Sequence, residues 1–209
     1  MNEPFFSVIV PEHNSAAFMR TGLDSIKSQT FTDYELIIVC DACEDNTAEI
    51  AREYTDKVFE VWNNHPGPTR NVGLDYATGE WIMMVDDDDW LLPEFVLEQL
   101  AEHLGDEDML NFGFVWKDVG VTMPVRPNGY YWPAGWSRVI RRTAIGDIRY
   151  PRQTPDDLPF INKLLSERFL KIKNWDMPLY YYNYMRPGSI TDTLNKQGLE
   201  PDLRRKKNG

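Results

Sequence analysis

Trp81-Ile82-Met83-Met84-Val85-Asp86-Asp87-Asp88-Asp89-Trp90 sets the reading of the whole chain: five apolar residues run straight into four carboxylates. An apolar run without polar alternation is the pattern of a strand covered on both faces, as in the middle of a parallel sheet. Similar runs lie upstream at Phe5–Pro11, Tyr34–Val39 and Val58–Trp62. Helical spacing separates them. Asn14-Ser15 offers an N-cap ahead of Met19, Leu23 and Ile26, and Asp45-Asn46-Thr47 opens a second helix with Ile50, Ala51 and Tyr54. Gly67-Pro68-Thr69 starts a third, with proline where its missing N–H costs nothing, and Pro93 begins a fourth with Val96, Leu97, Leu100 and Leu104 on one face. Strand and helix in alternation predict a Rossmann-like, mostly parallel α/β sheet with right-handed crossovers. Such sheets hold their ligands beyond the carboxyl ends of the strands, where the aspartates fall.

Downstream the pattern changes. Met109–Lys117 and Val119–Val125 read as a strand pair, Tyr130–Trp136 as an aromatic turn region, 156–168 as a helix and Leu179–Tyr184 as a strand. These are expected to extend the same sheet in mixed or antiparallel fashion. The 209 residues suit one α/β domain rather than two. A net charge of −11 argues against nucleic acid as a partner, since a polyanion is repelled on average. The start, Met1-Asn2-Glu3-Pro4, has no basic and apolar leader pattern, and no apolar run is long enough to span a bilayer. A cytoplasmic location is expected. Membrane contact is at most peripheral, through the basic end Arg204-Arg205-Lys206-Lys207.

Four adjacent carboxylates at a buried strand's end repel one another unless a cation is present. On an extended backbone Asp86 and Asp88 would share a face, about 7 Å apart. Mg²⁺ and Mn²⁺ prefer oxygen ligands and bind through one or two carboxylates plus substrate phosphates. A solvated acidic loop is the competing reading. Val85 before the run and Trp90-Leu91-Leu92 after it bury both flanks, which favours a site. Cys40 and Cys43 form a lone C-x-x-C, compatible with a redox pair or, with His13 and His65, a zinc site. Two small side chains at a strand end is the reading preferred.

Three blocks, Ser7–Pro11, Ile37–Thr47 and Val85–Leu91, resemble in order and spacing the signature segments of family 2 glycosyltransferases of the GT-A fold. Gly67–Gly73 looks like that family's helix-opening segment, and Trp136–Arg142, Pro155–Phe160 and Arg186–Thr191 resemble its later blocks. The likeness implies one GT-A domain over residues 1–192, with a nucleotide-binding half at 1–104 and an acceptor and catalytic half at 105–192. Residues 193–209 are left as a poorly ordered basic tail. It also implies that Pro11 and the residues after it line the base pocket, that Asp41 contacts the base, that Asp86 approaches the nucleoside, and that Asp88 ligates Mn²⁺ or Mg²⁺ at the diphosphate. The family's usual acidic pair is here Cys40-Asp41, a departure that bears on base preference.

Arg70, in the first turn of its expected helix, stands against the dipole and so asks for an anionic partner, either a donor diphosphate or a surface carboxylate. Arg186, in a Pro-Gly loop, can close over the diphosphate or simply belong to a surface loop. On spacing alone Asp156-Asp157 is an ordinary acidic helix start. The resemblance gives the base role to Asp157, with Asp156 as the fallback. Trp132, between Tyr131 and Pro133, is the candidate for stacking on an acceptor sugar, whereas Trp136 reads as core. The expected activity is inverting transfer of a single sugar from a nucleotide-diphosphate-sugar, UDP-linked, to a carbohydrate or other hydroxyl acceptor. A nucleotidyltransferase would need a Gly-rich basic loop after the first strand, and Pro11-Glu12-His13-Asn14 is not one. The alternative is a catalytically degenerate nucleotide- or carbohydrate-binding protein of the same fold.

Overall fold

A computed structural model describes residues 3–117, 120–122, 134–184, 186–189, 192–193 and 196–197. In chain order the elements are β1 (Phe6–Glu12), α1 (Met19–Lys27), β2 (Tyr34–Asp41), α2 (Thr47–Ala51), β3 (Val58–Val61), α3 (Pro66–Tyr76) and β4 (Trp81–Met84). Then come β5 (Trp90–Leu91), α4 (Val96–His103), β6 (Met109–Trp116), β7 (Gly120–Thr122), a 3-10 turn (Gly135–Ser137), β8 (Arg138–Arg141), α5 (Arg142–Ile145), α6 (Asp157–Glu167) and β9 (Ile172–Tyr182). The strands form one sheet in the order β3-β2-β1-β4-β8-β6-β9-β5, with β7 on β6. The β3-β2-β1-β4 half is parallel. The other half is mixed: β8 runs antiparallel to β4 and β6, while β9 runs parallel to β6.

Strand alternation sorts the core onto two faces. Val8 and Val10 of β1, Ile38 of β2 and Met83 of β4 pack with Met19, Leu23 and Ile26 of α1 and Val96, Leu97 and Leu100 of α4. Ile9, Ile37, Val39, Ile82 and Met84 point the other way, onto Leu74 of α3 and Phe160, Ile161 and Leu164 of α6. Helices cover both faces, which is why these strands read as unbroken apolar runs. Among the described residues no helix is long and apolar enough to cross a membrane.

Several boundaries differ from expectation for local reasons. Asn14-Ser15 does not cap α1. Asn14 sits in the left-handed region with φ 48°, its Oδ1 accepting from the Glu44 amide at 2.8 Å. The Ser15 carbonyl instead accepts from Phe18 and Met19, so the helix starts four residues later. Likewise α4 begins at Val96, three residues past Pro93. Because α3 starts at Pro66, Arg70 lies in its second turn. Not anticipated were the two-residue β5, β8, which has arginine at both ends, and the early part of β9, whose exposed polar residues mask its pairing with β6.

Candidate active site

The carboxyl ends of β1, β2 and β4 meet where the strand order turns, and a cavity of about 370 Å³ opens there. Pro11, Asp41, Arg70, Asp86, Asp88 and Arg186 all line it. Asp156 and Asp157 do not, but Arg70 joins them to it. Trp132 lies outside the described residues.

The aspartate run is a turn, not an extension of β4, so the alternation expected for Asp86 and Asp88 does not apply. The Asp89 amide donates to the Asp86 carbonyl at 3.2 Å, closing the turn. Tyr180 of β9 pins it: the Asp86 amide donates to the Tyr180 hydroxyl at 3.0 Å, and that hydroxyl donates to Asp89 Oδ2 at 2.8 Å. The Asn183 amide fills Asp89 Oδ1 at 2.8 Å. Asp89 is thus a buried structural carboxylate, fully closed to solvent. The remaining three face the cavity. Burial and then mutual repulsion raise Asp87 well above the ordinary carboxylate range. Asp88 is raised as well, by burial, against the hydrogen bond from Arg186.

Two arginines answer this charge. Arg186 Nε meets Asp88 Oδ2 at 2.7 Å, and its guanidinium lies 3.8 Å from the Phe18 ring centroid. Arg70 is 7% exposed and bridges two carboxylates, Asp86 at 2.9 Å and Asp156 at 2.8 Å. Burial works against its charge, but Asp157, Asp86 and Asp156 more than offset this and hold it protonated. The anionic partner that Arg70's placement asks for is therefore supplied first by the protein itself.

Asp156, 5% exposed, is committed to Arg70. Asp157, the first residue of α6, is not: its Oδ1 is closed to solvent and meets no hydrogen-bond partner among the described residues. Burial lifts this carboxyl to about 6, with Arg70 opposing and Asp156 and Asp86 adding to the rise. A Cβ on Gly135 would stand 2.8 Å from that Oδ1, so only glycine leaves the oxygen room.

At the other end of the cavity Asp41 organises the wall. Oδ1 accepts from the amides of Asn63 at 2.6 Å and Asn64 at 2.9 Å. Oδ2 accepts from the His65 amide at 2.9 Å and the Thr69 hydroxyl at 2.6 Å. Its carboxylate thus fixes the loop that opens α3. His65 is spent on that helix start, its Nδ1 accepting from the Gly67 amide at 3.4 Å, and His13 Nδ1 lies 2.6 Å from the Asp41 carbonyl. His65 is engaged away from the cysteines and His13 shares the Asp41 carbonyl with Cys43, but among the described residues no three His, Cys, Asp or Glu side chains converge to hold a metal unaided. Any cation would depend on ligand oxygens from elsewhere. The crowded, hard oxygens of Asp86, Asp87 and Asp88 suit a Mg²⁺- or Mn²⁺-type ion that brings phosphates with it.

Glu12, which directly follows Pro11, lies in the stretch expected to line the base pocket and does line the cavity, whereas Asp87 and Asn183 line it without having been singled out from sequence. Asn183 gave no signal, because only the pairing of β9 brings it there.

The Glycosyl transferase family 2 model matches residues 7–160. The chain belongs to glycosyl transferase family 2. It is 32% identical to the putative glycosyltransferase EpsH of Bacillus subtilis, over 97% of this chain and 67% of that protein. S. aureus TarS 1–349 in complex with UDP-GlcNAc superposes with a TM-score of 0.79 at 26% identity, covering 90% of this chain and 60% of that one. The mannosyltransferase PcManGT from Pyrobaculum calidifontis, in complex with GDP-Man and Mn²⁺, shares the fold with a TM-score of 0.70 at 18% identity, over 90% of this chain and 59% of that one. The chain thus spans about three fifths of these two structures. The fold is the mixed α/β GT-A type, and TarS, one of its structural relatives, is seen with UDP-GlcNAc bound.

Proposed function

We propose that this glycosyltransferase moves a single sugar, with inversion, from a UDP-sugar to a hydroxyl acceptor, using a divalent ion and Asp157 as general base. The observation that carries the reading is the one cavity at the ends of β1, β2 and β4 that gathers Pro11, Asp41, Arg70, Asp86, Asp88 and Arg186. TarS holding UDP-GlcNAc supports a UDP-linked donor, and PcManGT holding Mn²⁺ with its nucleotide sugar supports a metal.

In this reading Pro11 and the loop fixed by Asp41 receive the base, and Asp86 approaches the nucleoside. Asp88, together with the donor's phosphates, would hold Mn²⁺ or Mg²⁺, which would supply charge stabilisation to the leaving diphosphate. Arg186 exchanges Asp88 for the phosphates as their charge develops. Arg70 stays fixed between Asp86 and Asp156 and keeps a positive charge at the cavity floor. Asp157, with its unpartnered oxygen, takes the proton of the attacking hydroxyl. Asp156 is too tightly held by Arg70 to compete.

A thermal-shift screen of UDP, GDP and CDP with and without Mn²⁺ tests the donor reading, because a ligand that binds only the native state raises Tm with its concentration. A metal-dependent shift selective for UDP is expected. No shift with any nucleotide ends the proposal.

A further inference from the structure

The turn Cys40-Asp41-Ala42-Cys43 carries two thiols that the proposed transfer leaves unused. Cys40, 1% exposed, is the penultimate residue of β2 and lies beside Glu12 of β1 in the parallel register. Ala42 takes a left-handed φ of 49°. Half-buried Cys43 thereby folds back, its Sγ lying 3.7 Å from the Glu12 carbonyl and 3.9 Å from the Asp41 carbonyl. Its sulfur packs against the apolar cluster that holds Cys40. Cys40 foremost, with the Asn14 amide and His13, holds the Cys43 thiol down to about 7 although burial and Asp45 oppose this. Cys40 is pushed the other way, by its bond to Cys43 and by burial. The two thiols of one C-x-x-C turn thus pack into the same cluster on one side of the sheet, and Cys43 is the readier of the two to ionise, an arrangement suited to oxidation.

We infer that Cys40 and Cys43 are an oxidisable dithiol which a peroxide closes to a disulfide, and that closure weakens nucleotide binding. The Cys43 thiolate attacks a peroxide oxygen and becomes a sulfenic acid, releasing water once a proton is taken up. The Cys40 sulfur then displaces hydroxide from the Cys43 sulfur. In sum two thiols and one hydrogen peroxide give one disulfide and two waters. The effect on binding rests on the donor reading above. The disulfide ring encloses Asp41, whose carboxylate holds the amides of Asn63, Asn64 and His65 and the Thr69 hydroxyl on the cavity wall. Drawing the two sulfurs together to about 2.05 Å moves the backbone that aims this carboxylate.

The full chain is treated with hydrogen peroxide, and intact mass, free-thiol count and the affinity for UDP with Mn²⁺ are measured before and after. The expected result is loss of two hydrogen masses and of both thiols, a UDP Kd raised about tenfold or more, and recovery with dithiothreitol. Cys43→Ser should form no disulfide and keep a peroxide-insensitive Kd, which separates this effect from methionine oxidation. Retention of both thiols, or direct passage of Cys43 to the sulfinic acid, overturns the dithiol. A disulfide that leaves the UDP Kd unmoved overturns its effect on the cavity. If the reduced chain binds no nucleotide at all, the donor reading fails and takes that effect with it, while mass and thiol count still decide the dithiol.

Discussion

Asp156 and Asp157 are adjacent carboxylates that the fold separates into two roles. Asp156 is saturated by Arg70, and Asp157 keeps a buried oxygen with no partner among the described residues. A carboxyl lifted to about 6 is matched to proton abstraction near neutral pH. Donor hydrolysis, with water as acceptor, should therefore rise with pH up to about 6 and level off above it. Asp157→Asn should lower kcat for hydrolysis by about 100- to 10,000-fold while leaving the UDP Kd unchanged. The same substitution bears on stability with a definite sign. A carboxyl with a raised native pKa binds its proton more tightly folded than unfolded. Its contribution is complete below the unfolded value and is lost as pH rises through about 6. The asparagine variant should then melt higher than the parent at pH 8, by about 2–4 °C, and lose that advantage below pH 4. A lower Tm at pH 8 would show that Arg70 depends on the Asp157 charge more than burial opposes it.

Helix α1 sets the height of the aspartate turn. Its buried face is Met19, Gly22, Leu23 and Ile26, and Gly22 meets the turn itself: a Cβ there would lie 2.6 Å from the Asp89 carbonyl oxygen. Gly22→Ala brings two opposed effects. Helix propensity favours alanine by about 1 kcal/mol. Pushing on the backbone of Asp89, whose side-chain carboxylate Tyr180 and Asn183 hold in place, costs about 1–3 kcal/mol. The clash wins, because the neighbour is main chain rather than a flexible side-chain tip. Urea denaturation should show a net loss of stability, with weaker UDP binding as Asp86 and Asp88 shift with the turn. An unchanged midpoint and Kd would mean that α1 and the turn are free to separate.

Across the whole molecule the parallel half is tied together at the end opposite the cavity by Glu35. Its Oε1 accepts from the Ser7 and Thr78 hydroxyls and the Thr78 and Gly79 amides, and Lys57 pairs with Oε2. This links β1, β2 and the approach to β4. Burial opposes the charge, but the bonds from Lys57, Ser7 and Thr78 outweigh it and hold the carboxyl down to about 2. A depressed native pKa contributes stability above the unfolded value of 4.5 that is lost as pH falls toward 2. Glu35→Gln should lower Tm at pH 7 and flatten its fall between pH 4.5 and 2. Parallel acid-melting curves for parent and variant would remove Glu35 from this role.

The sequence by itself determined the parallel core and the end of it that does the chemistry. Val8–Val10, Ile37–Val39 and Trp81–Val85 are apolar without alternation because helices cover both faces, and period and composition record that directly. Only the tertiary structure decided how each carboxylate is used. Asp86, Asp88 and Asp89 look alike in a run, yet one meets Arg70, one Arg186 and one Tyr180, partners at sequence separations that no local pattern encodes. Strand β8 and the early part of β9 were illegible for the same reason: their pairing with β4 and β6 rests on contacts made after the chain has closed, and their own residues carry little of that signal.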